Sequence, residues 1–433
     1  MDILASSLLN AVSGMNQGFA AFFDVWFILL PPALYGLFMV LWMSFIQGKW
    51  ASKIKWVVLE IIPPSDIEKS PYSMELVFAG LAGVMKTPTA TEEYVIGELP
   101  VSHSLELVST EGAVHFYIRT QVAFRGLVES HFYAQYPNIE IIEVPDYVNT
   151  VPRTIPNKDW ELWGCDFALL KDDLYPIKTY PLFEESVTGK MLDPLAGLIE
   201  SMGKIGPGQH IWLQYITTPI HEKKAYEAMS GTVDKFLGRE KAKEMGIIQM
   251  LFLDIWDVLR NIPAAFSSGE TEFLSHKEVK KDEQPLEFRL SPGEKDVLKA
   301  LQRNLGKQPF KVRMRMLYIG RRENYSKAVG VSPIIGSLKQ FSDGNMNGFR
   351  PDDLSKTYAE FVATESRLRY RQRRIFRRYI TRDTDPQDSS RFILTSEELA
   401  TVFHLPDMTV IAPTLMRVSA KRGNAPFNLP VQE

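Results

Sequence analysis

Hydrophobic and polar positions along this chain fall into three regimes. Residues 25–46, VWFILLPPALYGLFMVLWMSFI, are an uncharged apolar run of 22 residues. A helix of that length spans roughly 33 Å, enough for the ~30 Å hydrocarbon core of a bilayer, so the run predicts a single transmembrane helix. Pro31-Pro32 predicts either a kink in its outer third or the point where the spanning helix starts. Before it, residues 1–24 place Leu4, Leu8, Val12, Met15, Phe19 and Phe23 near helical spacing, an amphipathic segment suited to an interface or a second subunit.

The second regime, residues 50–150, alternates strand and helix patterns. WVVLEII (56–62) ends at Pro63-Pro64, and a helix follows with Ser70 as cap and Met74, Val77, Phe78, Leu81 and Met85 on one face. LELV turns through Thr110-Glu111-Gly112 into AVHFYIR, where Val114, Phe116 and Ile118 alternate with His115, Tyr117 and Arg119. A helix over 121–135, with Val122, Leu127, Val128 and Phe132 inward, and the strand NIEIIEV complete a βαββαβ order, that of a ferredoxin-like sandwich. Residues 151–350 repeat it. WELWGCDFALL, a helix capped by Asp193 and HIWLQYI open the second module, and a helical insertion with a polar linker occupies 222–285. LEFRL, a helix opened by Ser291-Pro292-Gly293-Glu294 and the strand FKVRMRMLYI close it. The fold class expected is α+β: one transmembrane helix and two ferredoxin-like modules. The apolar stretch 250–259 carries Asp254 and Asp257, which favours a bundle or interface helix over a second membrane contact.

The third regime is an arginine-rich helix at 351–383. A wheel over 354–382 puts Leu354, Tyr358, Phe361, Leu368, Gln372, Ile375 and Tyr379 on one stripe, with Arg369, Arg371, Arg373, Arg374, Arg377 and Arg378 on the others. Like charges at this density need counter-charge. Nucleic-acid phosphates, anionic lipid heads or an acidic partner each supply it; so does a solvated face paired with Glu360 and Asp383.

Charge then sets orientation. Residues 1–24 hold no Lys or Arg, whereas Lys49, Lys53 and Lys55 follow the span, which predicts a single-pass protein with its N-terminus outside and its bulk in the cytoplasm. A net charge of -3 excludes a chain basic throughout, and the single Cys165 excludes a disulfide framework. The seven histidines have no ligand spacing, and GxxxxGK[ST], GxSxG and HExxH are absent, so no metal, cofactor or catalytic residue is expected.

The C-terminal stretch LTSEELATVFHLPDMTVIAPTLMRVSAKRGNAPFNLP (394–430) resembles the segment preceding the motor in the membrane-anchored ATPases of conjugative type IV secretion and their relatives in small-genome bacteria. There an ELAxLxHLP-like turn leads into a Lys-Arg-x-x-x-Pro-x-x-Leu-Pro tail, matched here by Glu398, Leu399, Ala400, His404, Leu405, Pro406, Lys421, Arg422, Pro426, Leu429 and Pro430. The likeness extends loosely through KIKWVVLEI, HFYIRT, ESHFYAQYP, DLYPIKTYP, DPLAGLIE, LSPGEKDVL and LKQFSDGNMNGF, most of the chain after the span. It implies a non-catalytic adaptor of a bacterial inner-membrane transfer apparatus, self-associating or not, with a P-loop ATPase as a separate subunit or domain. Residues 384–433 would be its docking tail, with Glu398, Leu399, His404, Leu405, Pro406, Lys421 and Arg422 as contacts. Thr395 and Glu398 form a capping box there, and His404 reads as a helix-end cap. The rivals are a scaffold of another envelope machine, such as pilus assembly, and a nucleic-acid-binding membrane tether acting alone.

Overall fold

In the computed structural model the apolar run forms helix α1, Leu30–Ala51, 22 residues long and apolar enough to cross a membrane. The structure describes residues 30–64, 69–183, 192–221, 230, 290–383, 391–407 and 417. The amphipathic segment 1–24, all but one residue of the insertion 222–285, the strand LEFRL up to Arg289, and Lys421 and Arg422 lie outside them. Pro31 and Pro32 sit at the N-terminal end of α1, where a missing N–H is tolerated. With residues 86–101, α1 belongs to the first of two units. Within it Trp42 Nε1 donates to the Tyr94 carbonyl at 2.8 Å. Gly97, at φ +75°, lies so close to Ile46 that a Cβ would stand 2.6 Å from its carbonyl carbon.

The second unit is built on a nine-stranded sheet. In chain order its elements are β1 Trp56–Ile62, α2 Tyr72–Leu81, β2 His103–Thr110, β3 Ala113–Gln121, α3 Arg125–Gln135, β4 Glu140–Glu143, β5 Trp160–Leu169, α4 Ala196–Gly203 and β6 Gln209–Pro219. Then come α5 Pro292–Asn304, β7 Pro309–Arg321, α6 Ser332–Leu338, β8 Phe349–Pro351, α7 Thr364–Thr381, β9 Phe392–Thr395 and α8 Ser396–Val402. The strand order is β4-β1-β3-β2-β6-β7-β5-β8, with β9 against β7. Counting from each outer edge, both halves therefore run fourth, first, third, second. They meet where the two second strands pair antiparallel, Leu105 opposite Tyr215 and Leu107 opposite Leu213.

This order corrects one expected assignment. FKVRMRMLYI is the third strand of its half, between β6 and β5, and not the last. The fourth is β8, three residues long and too short to show a strand period in sequence. Val122, expected inward, is exposed because residues 122–124 form a 3₁₀ turn ahead of α3. The capping boxes at Ser291/Glu294 and Thr395/Glu398 are both present.

Both faces of the sheet are covered. On one, Phe116, Leu213, Met316 and Cys165 pack beneath Phe78 of α2, Phe132 of α3, Ile199 of α4, Ile334 of α6 and Leu399 of α8. On the other, Val108, Trp212, Leu317 and Ile319 lie against Tyr147, Ile155 and the Ile375, Phe376 and Tyr379 side chains of α7. At about 25 cal/mol per Å² of apolar surface buried, both layers contribute to the fold.

A candidate anion-binding groove

α7 is shorter than its apolar pattern predicts. It begins at Thr364, and residues 354–363, expected as its first turns, form a loop in which Leu354, Tyr358 and Phe361 are exposed. Phe361 and Ala363 have positive φ, 69° and 50°, incompatible with a continuing helix. The stripe that does seat the helix is Gln372, Ile375, Phe376 and Tyr379, at i, i+3, i+4 and i+7. Gln372 Nε2 donates to Glu161 Oε1 and to the Leu162 carbonyl, each at 2.7 Å, and the Tyr379 and Tyr147 hydroxyls are 2.7 Å apart.

Beneath the C-terminal half of α7 a polar row crosses the sheet. Glu106 of β2 faces Gln214 of β6, Gln214 faces Arg315 of β7, and Arg315 faces Asp166 of β5. Arg315 Nε donates to Asp166 Oδ1 at 2.6 Å, with both side chains at 0% exposure. Gln214 Nε2 and Ser104 Oγ donate to Glu106 Oε1 at 2.9 and 2.6 Å. Arg382, just past the helix, closes the row. Its Nε and Nη2 donate to Glu106 at 2.9 and 3.0 Å, and its Nη1 and Nη2 to Asp146 at 2.7 and 2.9 Å. Burial pushes the Glu106 carboxyl up, but the attraction and hydrogen bonds of Arg382 outweigh it and hold the group below the ordinary carboxylate range.

Four arginines of α7, Arg367, Arg371, Arg374 and Arg378, recur at spacings of four, three and four, so they share one face. They line a groove of about 430 Å³ between the helix and the loop carrying Asp352, Leu354 and Ser355, with Ile375 and Tyr370 completing it. Asp352, the single acidic residue of the lining among the described residues, already accepts the Leu354 and Ser355 amides at 3.4 and 3.0 Å. Arg371 Nη1 is pinned to the carbonyls of Tyr358, Lys356 and Asp353 at 2.7, 3.1 and 3.4 Å. Arg378 stands 3.9 Å from Asp166 and 3.6 Å from Asp383. Arg374 has no ion-pair partner among the described residues. Guanidinium forks bind phosphate oxygens in pairs, so a row of arginines along one groove has the donor chemistry to meet an anion with several acceptor oxygens.

Of the six arginines expected to bind polyanions, Arg371, Arg374 and Arg378 line this groove. Arg369 instead forms an i,i+4 pair with Glu365, and Arg373 and Arg377 are exposed outside the lining. The sequence reading omitted Arg367, although its spacing to Arg371, Arg374 and Arg378 carries the signal.

The expected docking residues behave otherwise. Glu398, Leu399, His404, Leu405 and Pro406 are all buried, so they hold α8 in the core and present no surface to a partner. Glu398 accepts from Thr395 N, Thr395 Oγ1 and Ile177 N at 2.8, 2.9 and 3.0 Å. Burial raises its carboxyl to about 7 against the pull of those donors. His404 caps the helix end, its Nδ1 2.8 Å from the Ala400 carbonyl, and its Nε2 lies 3.1 Å from Asp193. The physical reason is the capping box itself: with β9 paired to β7, α8 must fold straight onto the sheet. Glu397, absent from the sequence reading, is buried beside Glu398, accepts from Thr179 Oγ1 at 2.8 Å and pairs with Arg303 at 3.0 Å.

A family model described as a domain of unknown function, DUF8128, matches residues 54–417. The chain belongs to this family. The DUF8128 match takes in the whole described sheet, α7 and its groove, and starts just beyond α1. No curated protein matches the chain.

Proposed function

We propose that the chain is a non-catalytic, membrane-anchored adaptor of a type IV secretion or conjugation-like transfer apparatus, and that α7 engages a phosphate-bearing polyanion. The arginine groove carries this reading: four guanidinium groups converge on one cavity whose one acidic residue among the described residues is committed to its own loop. α1, followed by Lys49, Lys53 and Lys55, favours a single-pass place in the bacterial cytoplasmic membrane with the N-terminus outside. We read the two halves of the sheet as ferredoxin-like modules, because each repeats the order fourth, first, third, second that a βαββαβ unit adopts. The adaptor role draws on how the buried polar groups are used. Arg382 pairs with Glu106 and Asp146, Arg315 pairs with Asp166 through Nε, and Glu398 and His404 cap α8, which are structural duties. A P-loop ATPase as partner follows from the resemblance of the C-terminal stretch, and its contact within the tail falls to Lys421 and Arg422.

Purification of the full-length chain from native membranes after mild crosslinking tests the proposal. Recovery of a P-loop ATPase supports it. Recovery of pilus or other envelope proteins in its place turns the reading to a different machine, and nucleic acid without a protein partner turns it to a stand-alone tether.

A further inference from the structure

The loop that walls the groove also carries the most exposed apolar side chains among the described residues of the second unit. Phe361 is 91% exposed, Val362 78% and Leu354 72%. The loop is tied down at several points, so these side chains are presented on a fixed frame. Arg371 holds three of its carbonyls, Arg367 Nη1 donates to Glu360 O at 3.1 Å, and Thr357 exchanges two hydrogen bonds with Gly164, each 3.0 Å. An apolar tip on a pinned loop beside a cationic groove has two surfaces to satisfy at once. A nucleic acid offers phosphates and stacking faces, but Val362 and Leu354 have no ring to stack. The boundary of an anionic bilayer offers phosphates and, a few ångströms deeper, hydrocarbon.

Resting on the reading of the chain as membrane-anchored with a polyanion-binding groove, we propose that this face binds the surface of an anionic phospholipid bilayer. The headgroup phosphate sits among Arg367, Arg371, Arg374 and Arg378, and Leu354, Phe361 and Val362 enter the headgroup–acyl boundary. The groove supplies charge and orientation; the tip supplies the preference for a membrane over a dissolved phosphate ester.

The test uses the full-length chain in phosphatidylcholine nanodiscs, to which phosphatidylglycerol vesicles are added. Phe361→Cys carries an environment-sensitive dye, and the one native cysteine, Cys165, is buried and stays unlabelled. The expected result is a blue shift with phosphatidylglycerol vesicles and none with phosphatidylcholine vesicles. Arg367→Gln with Arg374→Gln should weaken vesicle binding about thirtyfold at unchanged thermal stability, given roughly fivefold per arginine at a charged surface. Phe361→Ser with Val362→Ser should weaken vesicle binding while leaving competition by soluble glycerophosphoglycerol unchanged. Vesicle binding indifferent to the serine pair would assign the groove to a free phosphate ester, and an oligonucleotide bound at the groove without any lipid-induced shift would assign it to nucleic acid; either overturns the proposal. Alkaline carbonate extraction of the chain from native membranes is scored separately. Release there defeats the anchored reading, whereas retention with no dye response defeats this inference alone.

Discussion

Replacing Arg382 by Met is the most direct probe of how α7 is held to the sheet. The Arg382 side chain is 3% exposed and spends four hydrogen bonds on two carboxylates, at 2.7–3.0 Å. Removing it leaves Glu106, at 0% exposure, with neutral donors such as Ser104 and Gln214 in place of a guanidinium. Breaking one side of a buried ion pair costs on the order of 3–5 kcal/mol, because the remaining charge stays desolvated. The loss depends on pH with a defined sign. In the wild type the Glu106 carboxyl is held below its unfolded value, so its contribution is present above that value and disappears as pH falls through the folded one. Without Arg382 burial dominates and the carboxyl rises, so the deficit of the variant is larger at pH 8 than at pH 5. Adding Glu106→Gln to Arg382→Met removes the stranded charge and should restore more than half of the loss. Arg382→Gly separates charge from backbone: the residue is left-handed at φ 49°, a geometry glycine adopts freely, so a purely conformational role would make this variant more stable. Urea unfolding of the full-length chain in detergent, followed by tryptophan fluorescence, measures all four proteins. A Met variant within about 1 kcal/mol of wild type, or a double variant no better than the single, would refute the argument.

Phe116, 1% exposed and edge-on to Phe403 at 5.8 Å, should cost about 3–5 kcal/mol when truncated to Ala, read from the shift in urea midpoint. Two buried groups should tilt the acid limb of stability in opposite directions. Burial lowers His103 to about 4, so its contribution is complete above the unfolded value near 6.5 and is lost as pH falls toward 4; His103→Asn should flatten that decline. Glu398, raised to about 7, makes the fold less stable as pH rises from about 4.5 to 7, so Glu398→Gln should make the acid decline steeper; parallel slopes for both variants and wild type in melting-temperature scans would contradict both assignments. A reporter fused at residue 2 should lie outside the cytoplasm and one at residue 433 inside, and protease cleavage of the C-terminal fusion in intact spheroplasts would reverse the orientation.

The parts of the structure legible in sequence are those governed by local periodicity. Met74, Val77, Phe78 and Leu81 on α2, the β2–β3 hairpin and both capping boxes follow from residues within a few positions of one another. What sequence concealed is long-range. His115, Tyr117 and Arg119 alternate with an apolar set, a pattern that in an antiparallel sheet commonly marks the solvated face. Yet Tyr117 is buried, stacked on Tyr147 at 5.1 Å, because α7 and residues 147–155 cover that side of the sheet. The polar positions of β2, β6, β7 and β5 lie far apart in the chain and nothing local ties them together. Only the register shows that Glu106, Gln214, Arg315 and Asp166 form one row.

The same row explains why α7 can carry so many arginines without being a freely solvated helix. An unpartnered helix with this charge density would fray from self-repulsion. Here Arg382 neutralises Glu106 and Asp146 from the far end, Arg378 leans toward Asp166 and Asp383, and Gln372, Ile375, Phe376 and Tyr379 pin the apolar stripe. With the C-terminal half of the helix seated this way, the arginines whose charge is not consumed, Arg374 above all, are held toward the groove in a fixed geometry. The buried pairs therefore do more than stabilise the sheet: they set the helix rotation that places Arg367, Arg371, Arg374 and Arg378 along one cavity. It follows that Arg382→Met should weaken polyanion binding at the groove although Arg382 is not part of its lining, whereas an exposed charge outside the groove such as Arg373 should be replaceable by Gln at little cost to fold or groove.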